Sequence, residues 1–278
     1  MPPAIARTVR QRKLIASLRK HRETADLSET AAARQLGFSQ SKLSRLEKGV
    51  VRPKPADVIA MLDLYGVPSP ERDALLTLTR DVDRRGWWTQ YDDLFSASFV
   101  AVEDEAEKIT TWETVYVPGL LQIEDYARAV ISHSHAADPQ GLHRRVVARM
   151  TRSMILRRPQ PPHLHAIVGE AALRQQVGGP DVMRRQLIAL REASHRDNIT
   201  FQVVPFTADA HPGMEGPATL FRFAEDVELD VVHTEGPGGT VYLEGTEQVQ
   251  RIRVGLRNVA DAALSPEATR DLLESLTR

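Results

Sequence analysis

The sequence predicts an α+β protein, with an N-terminal all-α domain of five helices followed by a C-terminal α+β domain. Helical periodicity with matching caps runs through about the first 80 residues, and most strand-like segments begin only after residue 160. The chain has 278 residues, a length that suggests two domains. We therefore divide it into residues 1–82 and residues 87–278.

Charge is distributed unequally along the chain. Residues 1–52 contain 12 basic and 4 acidic residues, a net charge of +8, although the whole chain has a net charge of −1. The remaining residues therefore have a net charge of −9. This asymmetry indicates that the N-terminal domain contacts a polyanion, whereas the C-terminal domain is repelled by one.

Composition excludes several classes of protein. The chain contains no cysteine, which excludes disulfides, thiol catalysis and cysteine-ligated metals. No segment has the apolar core of a signal peptide or the length of an apolar membrane-spanning helix. We expect a cytoplasmic protein that does not contact a membrane.

Five helices are predicted in the N-terminal domain. Ser28 and Ser39 have the residue type and position of N-caps, and Gly37 is predicted to adopt the left-handed backbone that ends the second helix. Pro55 is placed where the first turn of a helix tolerates proline. The predicted segments are Val9–Thr24, Leu27–Gly37, Ser39–Gly49, Pro55–Gly66 and Ser69–Val82.

The third helix has one polar side and one apolar side. At 100° per residue its polar residues share an arc of about 140°, while Leu43 and Leu46 lie on the other side. This division suits a helix that packs through its apolar side and reads bases in the major groove. The polar residues are Gln40, Ser41, Ser44, Arg45 and Lys48.

Base-reading and phosphate-contacting roles follow from side-chain chemistry. Gln pairs with adenine, Arg with guanine and Ser with either, so we predict Gln40, Ser41, Ser44 and Arg45 as base-reading residues. Ser39, Lys42 and Lys48 are predicted to contact phosphates, since a helix N-terminus and basic side chains favour anions. The alternative is the solvated face of an ordinary helical domain.

The segment Leu27–Gly49, with the sequence LSETAAARQLGFSQSKLSRLEKG, resembles the helix-turn-helix of XRE-family (Cro/lambda-repressor-like) regulators. The resemblance covers about residues 9–66 and implies a five-helix DNA-binding domain. It implies that bases are read at Gln40, Ser41 and Arg45, and that phosphates are contacted near the Glu29 amide, Ser39 and Lys42.

Two further scaffold positions follow from this resemblance. It implies a structural salt bridge between Arg22, near the end of the first helix, and Glu47 in the third helix. Asp26 stands where the family usually has glycine after the first helix, and aspartate tolerates a left-handed backbone less well than glycine, which leaves the end of this helix open.

Helices and strands are mixed in the C-terminal domain. Gly236–Gly239 is interpreted as a hairpin loop, because it lacks the Lys-Ser/Thr of a phosphate-binding loop. The acidic run Glu103–Glu107 is interpreted as a solvated helix face. Predicted helices cover residues 123–132, 142–157, 180–195, 246–261 and 266–276, and predicted strands cover residues 163–168, 199–206, 218–223, 227–233 and 240–243.

Catalytic and ligand-binding alternatives were considered for this domain. His163, His165 and Glu170, completed by His211 or His233, offer the residue types of a metal site, but alternate residues on a strand are as easily an exposed pair. No nucleophile motif occurs, so we expect no catalytic role and no cofactor. Four residues are interpreted as core, with a small effector pocket among them as the alternative: Trp112, Tyr116, Met150 and Met154.

Four segments of the C-terminal half form a recognisable pattern: Trp87-Trp88, the segment from Trp112 to Gln122, Tyr126-Ala127-Arg128 and the Gly178-Gly179-Pro180 helix entry. This pattern is similar to the C-terminal domain of actinobacterial WhiJ-like regulators. It implies a regulatory domain of unknown function, an antitoxin-like role and a small BldB-like partner protein.

We therefore expect a DNA-binding transcriptional regulator, a repressor or an antitoxin-like autoregulator, that binds an inverted-repeat operator in double-stranded DNA as a homodimer. Its C-terminal domain is expected to mediate self-association and partner binding. The alternatives are a small-molecule-responsive regulator, a protein that mainly neutralises its partner, and a metal-dependent enzyme domain tethered to DNA.

Overall fold

A computed structural model of the chain describes residues 9–81, 97–135, 138–223, 230–236, 239–244 and 246–278. The chain divides into two compact units, residues 1–105 and residues 106–278. The first is helical and the second combines helices with a six-stranded sheet, which confirms the predicted fold class. The predicted junction between residues 82 and 87 lies outside the described residues.

The first unit contains the five predicted helices and one more. Buried side chains from α1 to α5 form its core, and the large ones include Leu14, Leu18, Leu43, Met61 and Leu62. The helices are α1 (Val9–Thr24), α2 (Glu29–Leu36), α3 (Gln40–Glu47), α4 (Pro55–Leu64), α5 (Ser69–Asp81) and α6 (Ala97–Glu105).

Left-handed residues end the short helices. Gly37 has a φ of 67° and Gly49 a φ of 62°, which confirms the predicted turn after α2 and the predicted end of the third helix. Asp26, in the turn after the first helix, has a φ of 55° and thus adopts the left-handed conformation although it is not glycine. Because an aspartate side chain carries a steric cost there that glycine does not, this turn stores a small strain.

The acidic run at the end of α6 is not a solvated face. Glu103 is only 3% exposed, so that interpretation of Glu103–Glu107 is wrong at this residue. Residues three and four apart share one side of a helix, and Glu103 therefore lies with Phe99 and Val100, the latter being buried. Only Glu107, beyond the end of α6, is exposed.

A mixed six-stranded sheet forms the centre of the second unit. The strand order is β3-β2-β1-β4-β5-β6, with β1, β2 and β3 parallel and the other three antiparallel. The central strand, β1, was not predicted from the sequence. The strands are β1 (Lys108–Glu113), β2 (His163–Gly169), β3 (Ile199–Val204), β4 (Ala218–Arg222), β5 (Val231–Gly236) and β6 (Gly239–Leu243).

One face of this sheet packs against a long helix. Trp112, Ile167 and Val232 form an apolar cluster with Val249 and Leu256 of that helix. The Trp112 indole Nε1 donates a hydrogen bond to the Gly213 carbonyl at 2.8 Å, which satisfies its buried polar atom. The helices of this unit are α7 (Glu124–His135), α8 (Pro139–Ser153), α9 (Ala171–Arg174), α10 (Pro180–Ala193), α11 (Thr246–Ala262) and α12 (Pro266–Thr277).

Other expectations for the second unit have mixed outcomes. Gly236 pairs with Gly239 across the β5–β6 hairpin, which confirms the hairpin interpretation. Trp112 belongs to the core, but Tyr116 and Met154 are 47% and 58% exposed, so their assignment to the core is wrong. No helix within the described ranges has both the length and the apolar character needed to cross a membrane.

Candidate nucleic-acid interface

Two serine caps and one glycine turn set the geometry of α2 and α3. The Ala31 amide donates to Ser28 Oγ at 3.1 Å, and the Lys42 amide donates to Ser39 Oγ at 3.2 Å. Between the two helices the Phe38 amide bonds to the Ala33 carbonyl at 2.9 Å. Each cap satisfies a donor that the helix itself cannot, so both helices start at defined residues.

The apolar side of α3 holds the helix against the rest of the domain. Leu43 and Leu46 are 0% and 2% exposed. On α2, Ala32 and Ala33 are also buried, and their small side chains allow the two helices to approach closely. This packing fixes the rotation of α3 about its own axis, and thereby determines which of its side chains face solvent.

The other side of α3 is exposed and polar. Gln40, Ser41, Arg45 and Lys48 are exposed, and Ser44 is half-buried. The Arg45 guanidinium Nε donates to the Ser41 carbonyl at 3.2 Å, so it lies along the helix surface. The structure thus brings the predicted base-reading residues together on one surface.

The predicted phosphate-contacting residues are in different situations. Lys42 Nζ lies 2.7 Å from Asp57 Oδ1, at the start of α4, and 3.5 Å above the centre of the Phe38 ring. Ser39 uses its hydroxyl as the N-cap of α3, and Glu29 is the first residue of α2. A phosphate contact by Lys42 therefore requires its ammonium group to leave Asp57 or to be shared with it.

Arg22 and Glu47 form a bidentate ion pair between α1 and α3. Arg22 Nε and Nη2 donate to the two Glu47 carboxylate oxygens at 2.7 and 2.9 Å, and Nη1 donates to the Leu27 carbonyl at 2.7 Å. Their side chains are 8% and 3% exposed. The hydrogen bonds that Arg22 donates to the Glu47 carboxylate raise the pKa of Arg22 above its ordinary value. This pair connects the end of α1 to the end of α3.

The loop after α3 is a part of this surface that sequence reasoning missed. Val50 and Val51 are 65% and 39% exposed, and the amides of both bond to the Arg45 carbonyl at 2.8 and 3.2 Å. Apolar side chains beside a groove-reading helix suit contact with thymine methyl groups. The available signal was their position directly after Gly49, which ends the helix.

Two of the histidines considered for a metal site, His165 and His211, have other partners. His165 shares a 2.6 Å hydrogen bond with Gln202, and His211 contacts Trp112 edge-on with ring centres 5.5 Å apart. Glu170 accepts hydrogen bonds from Arg174 and from the Phe206 amide, which lower its pKa. Among the residues that the structure describes, no three His, Asp or Glu side chains are grouped so that they could hold a metal ion.

Comparison with protein families identifies two regions. Residues 14–75 match a family model described as a helix-turn-helix domain. Residues 96–275, more than half of the chain, match a family model described as a domain of unknown function, DUF5753. No curated protein and no solved structure matches the chain.

Proposed function

The chain belongs to the DUF5753 family and carries a helix-turn-helix domain, and from this premise we propose that it is a transcriptional regulator that reads duplex DNA through α3. The helix-turn-helix match indicates a DNA-binding regulator. The proposal assigns the reading of bases to Gln40, Ser41, Ser44 and Arg45, and assigns no catalytic step to the chain.

One observation carries this proposal. The polar side chains of α3 are exposed as a group, while Leu43 and Leu46 are buried beneath them and Glu47 is held by Arg22. A groove-reading helix needs this combination, since its side chains must match base edges without a change in the orientation of the helix. The surrounding residues 1–52 supply the net charge of +8 that favours phosphates.

The test starts from sequences that the full chain selects out of random duplex DNA. In gel-shift titrations on the selected site, Arg45→Ala is expected to weaken binding by about 1–3 kcal/mol and to relax the preference at one base pair. The reason is that a guanidinium bonded to a base edge contributes to one sequence more than to others.

Arg72→Ala is the matched control. Arg72 lies on α5 and pairs with the exposed Asp63 at 2.7 Å, so its removal changes the net charge equally without altering α3. We expect it to leave the sequence preference unchanged. Equal affinities of wild type and Arg45→Ala for the selected site would show that α3 does not read bases in this register.

The proposal extends to the subtype of regulator, its oligomeric state and its protein partner. The chain is proposed to be an XRE-family, WhiJ-like repressor or antitoxin-like autoregulator that binds as a homodimer and contacts a small BldB-like protein through residues 87–278. The resemblance of both halves supports this. The net charge of −9 beyond residue 52 also supports it, because acidic surfaces are repelled by DNA and remain available to proteins.

Partner binding has its own test. Co-expression with the neighbouring small open reading frame, followed by purification of the full chain, is expected to recover a complex whose operator affinity differs from that of the chain alone. Coupling is reciprocal, so operator DNA must change the affinity for the partner by the same factor. Recovery of the chain alone, with operator affinity indifferent to the neighbouring protein, contradicts this part.

A further inference from the structure

The second unit contains a cavity of about 380 Å³ beside its sheet. It lies between the strands β1, β4 and β5 on one side and α7, α8 and the loop before α7 on the other. Charged and polar side chains from several of these elements line it, and Val117 and Val130 supply apolar surface. The volume falls within the range of pockets that hold small molecules. Tyr116 lines this cavity, whereas the other residues considered for an effector pocket do not: Trp112, Met150 and Met154.

The cavity lies at the end of β1, the strand from which the sheet is extended in both directions. From β1 the chain adds β2 and β3 on one side, and β4, β5 and β6 then extend the sheet on the other side. Glu113 is the last residue of β1 and therefore marks the carboxyl end of the strand at which the direction reverses. In open α/β sheets, ligands bind at such switch points, outside the carboxyl ends of strands.

Strand register places five polar side chains on one face of the sheet. Thr111 pairs with Thr219, whose hydroxyl is 2.9 Å from that of Thr111, and Thr219 pairs with His233. Because side chains alternate along a strand, Glu113 and Glu235 lie on this same face. The opposite face carries Trp112 and packs against α11. Glu113, Thr219, His233 and Glu235 accordingly all line the cavity.

The charges of this lining favour a cation. Glu113 and Glu235 contribute two carboxylates, whereas Arg149 contributes one guanidinium, whose Nη1 donates to Gln122 Oε1 at 2.8 Å. Burial lowers the pKa of His233 to about 4, with nearby Arg152 acting in the same direction, so its ring is neutral near pH 7.

The surroundings of Glu113 change the pKa of its carboxyl group. Burial and the neighbouring Glu235 raise the pKa of Glu113 to about 7, and Arg149 opposes them. A carboxylate in such a place is costly when ionised, and a nearby positive charge removes that cost.

We propose that this cavity binds a small organic cation, an amine whose ammonium group lies beside Glu113 and Glu235 while its apolar part contacts Val117 and Val130. Tyr116, which is 47% exposed, lies at the edge of the cavity, where its ring faces both solvent and the bound molecule. The size of the cavity restricts the ligand to a small molecule and excludes a peptide or a protein segment.

The probes are two small molecules of similar shape and opposite charge, tyramine and 3-(4-hydroxyphenyl)propionate, together with the aliphatic amines putrescine and agmatine. Each is titrated calorimetrically into the full chain at about pH 8, where the Glu113 carboxyl is mostly ionised. We expect saturable binding of at least one amine and no binding of the carboxylate. We also expect amine affinity to fall between pH 8 and pH 6, because binding favours the ionised form of Glu113.

Glu113→Gln and Glu235→Gln keep side-chain size but remove the charge, and each is expected to weaken amine binding about tenfold or more. Glu267→Gln, on the exposed start of α12 and outside the cavity, is the matched control and should bind as wild type does. The melting temperature of each variant without ligand verifies its fold.

Binding of the carboxylate probe, equal amine affinity in wild type and Glu113→Gln, or no saturable binding of any amine at millimolar concentration would each overturn the proposal. The measurement is made without DNA. Its outcome is therefore independent of the Arg45→Ala test, and failure of one proposal does not entail failure of the other.

Discussion

The Arg22 and Glu47 side chains meet 25 positions apart in the sequence and are both nearly inaccessible to water. Water no longer solvates these charges, so each side chain depends on the other for its hydrogen bonds, and Arg22 donates one more to the Leu27 carbonyl. The role of the pair is to stabilise the domain, because Glu47 lies on the buried side of α3 and the opposite side of this helix is proposed to contact DNA.

Removal of the Glu47 charge is expected to destabilise the first unit. Glu47→Gln removes the bidentate partner of the buried Arg22 guanidinium and leaves it with the exposed Glu23 carboxylate, 3.5 Å from Nη2, which costs about 3–5 kcal/mol. Urea unfolding of the full chain, followed by a signal from the first unit, measures the loss. Asp63→Asn is the control, since Asp63 pairs with Arg72 at an exposed position and such pairs contribute little. Unchanged unfolding of Glu47→Gln would show that the pair does not stabilise the domain.

Glu113 predicts a pH-dependent stability of the second unit. Its pKa is about 7 in the folded protein, against an ordinary value of 4.5. Below about pH 4.5 the carboxyl is protonated in both states, and stability is then lost as the pH rises towards 7, because only the unfolded chain ionises freely.

Glu113→Gln removes this dependence. Relative to wild type, the variant is expected to gain stability between pH 5 and pH 8, reaching about 3 kcal/mol by the size of the shift. Chemical denaturation at several pH values measures the difference in stability between the variant and wild type. The lowered pKa of His233 makes both proteins lose stability on acidification, and this contribution cancels in the difference. A difference that is constant with pH would contradict the raised pKa of Glu113.

At the scale of elements, an ion pair between α3 and α4 affects how one lysine of the proposed interface can bind DNA. Lys42 belongs to the surface proposed to contact phosphates, yet its ammonium group is bound to Asp57 of α4. Asp57 also lies in the first turn of α4, where the helix dipole favours a negative charge. The ion pair therefore competes with DNA for Lys42.

Opposite effects are expected when the two partners are changed. Lys42→Ala should weaken binding to all duplexes alike and reduce the slope of log affinity against log salt by about 1, since one phosphate contact is lost. Asp57→Asn should strengthen binding to all duplexes, because it releases Lys42 and removes a negative charge near the phosphates. Gel-shift titrations at several salt concentrations on specific and random duplexes measure both. Unchanged binding by both variants would exclude Lys42 from the interface.

Two elements show why sequence patterns were not sufficient. The strand β1 contains Ile109, Thr110, Thr111 and Trp112, which are residue types typical of strands, but it was not predicted. Its central place depends on β2 and β4, which lie about 55 and 110 positions further along the chain. In α6, the charge of Glu103 suggested that this residue is exposed, but it is buried with the apolar residues on the same side of the helix.

At the scale of the whole molecule, the proposed function requires more than one copy of α3. Eight residues contact only a few base pairs, too few for specificity among the sites of a genome. We expect a homodimer on an inverted repeat whose half-sites lie about one helical turn, about 10 base pairs, apart. Light scattering at micromolar concentration is expected to give the mass of two chains.

Spacing between half-sites provides a sharper measurement. Insertion of about 5 base pairs rotates one half-site by half a turn and should reduce affinity strongly, whereas insertion of about 10 should reduce it less. A single half-site serves as the reference. Affinity that is insensitive to spacing, together with a complex of one chain per duplex, would contradict dimeric binding.

The sequence alone determined the features that depend on neighbours along the chain. The caps at Ser28 and Ser39, the left-handed Gly37 and the polar side of α3 follow from contacts within a few residues, and the structure has them where they were predicted. Helical periodicity likewise sufficed for the five helices of the first unit.

Tertiary structure alone decided which residues from distant segments meet. It placed Lys42 against Asp57, buried Glu103, made β1 central and brought Glu113, Arg149 and Glu235 around one cavity. The physical reason is that burial, ion pairing and the pKa of a carboxyl depend on every group within a few ångströms, and these groups come from strands and helices that no local pattern relates.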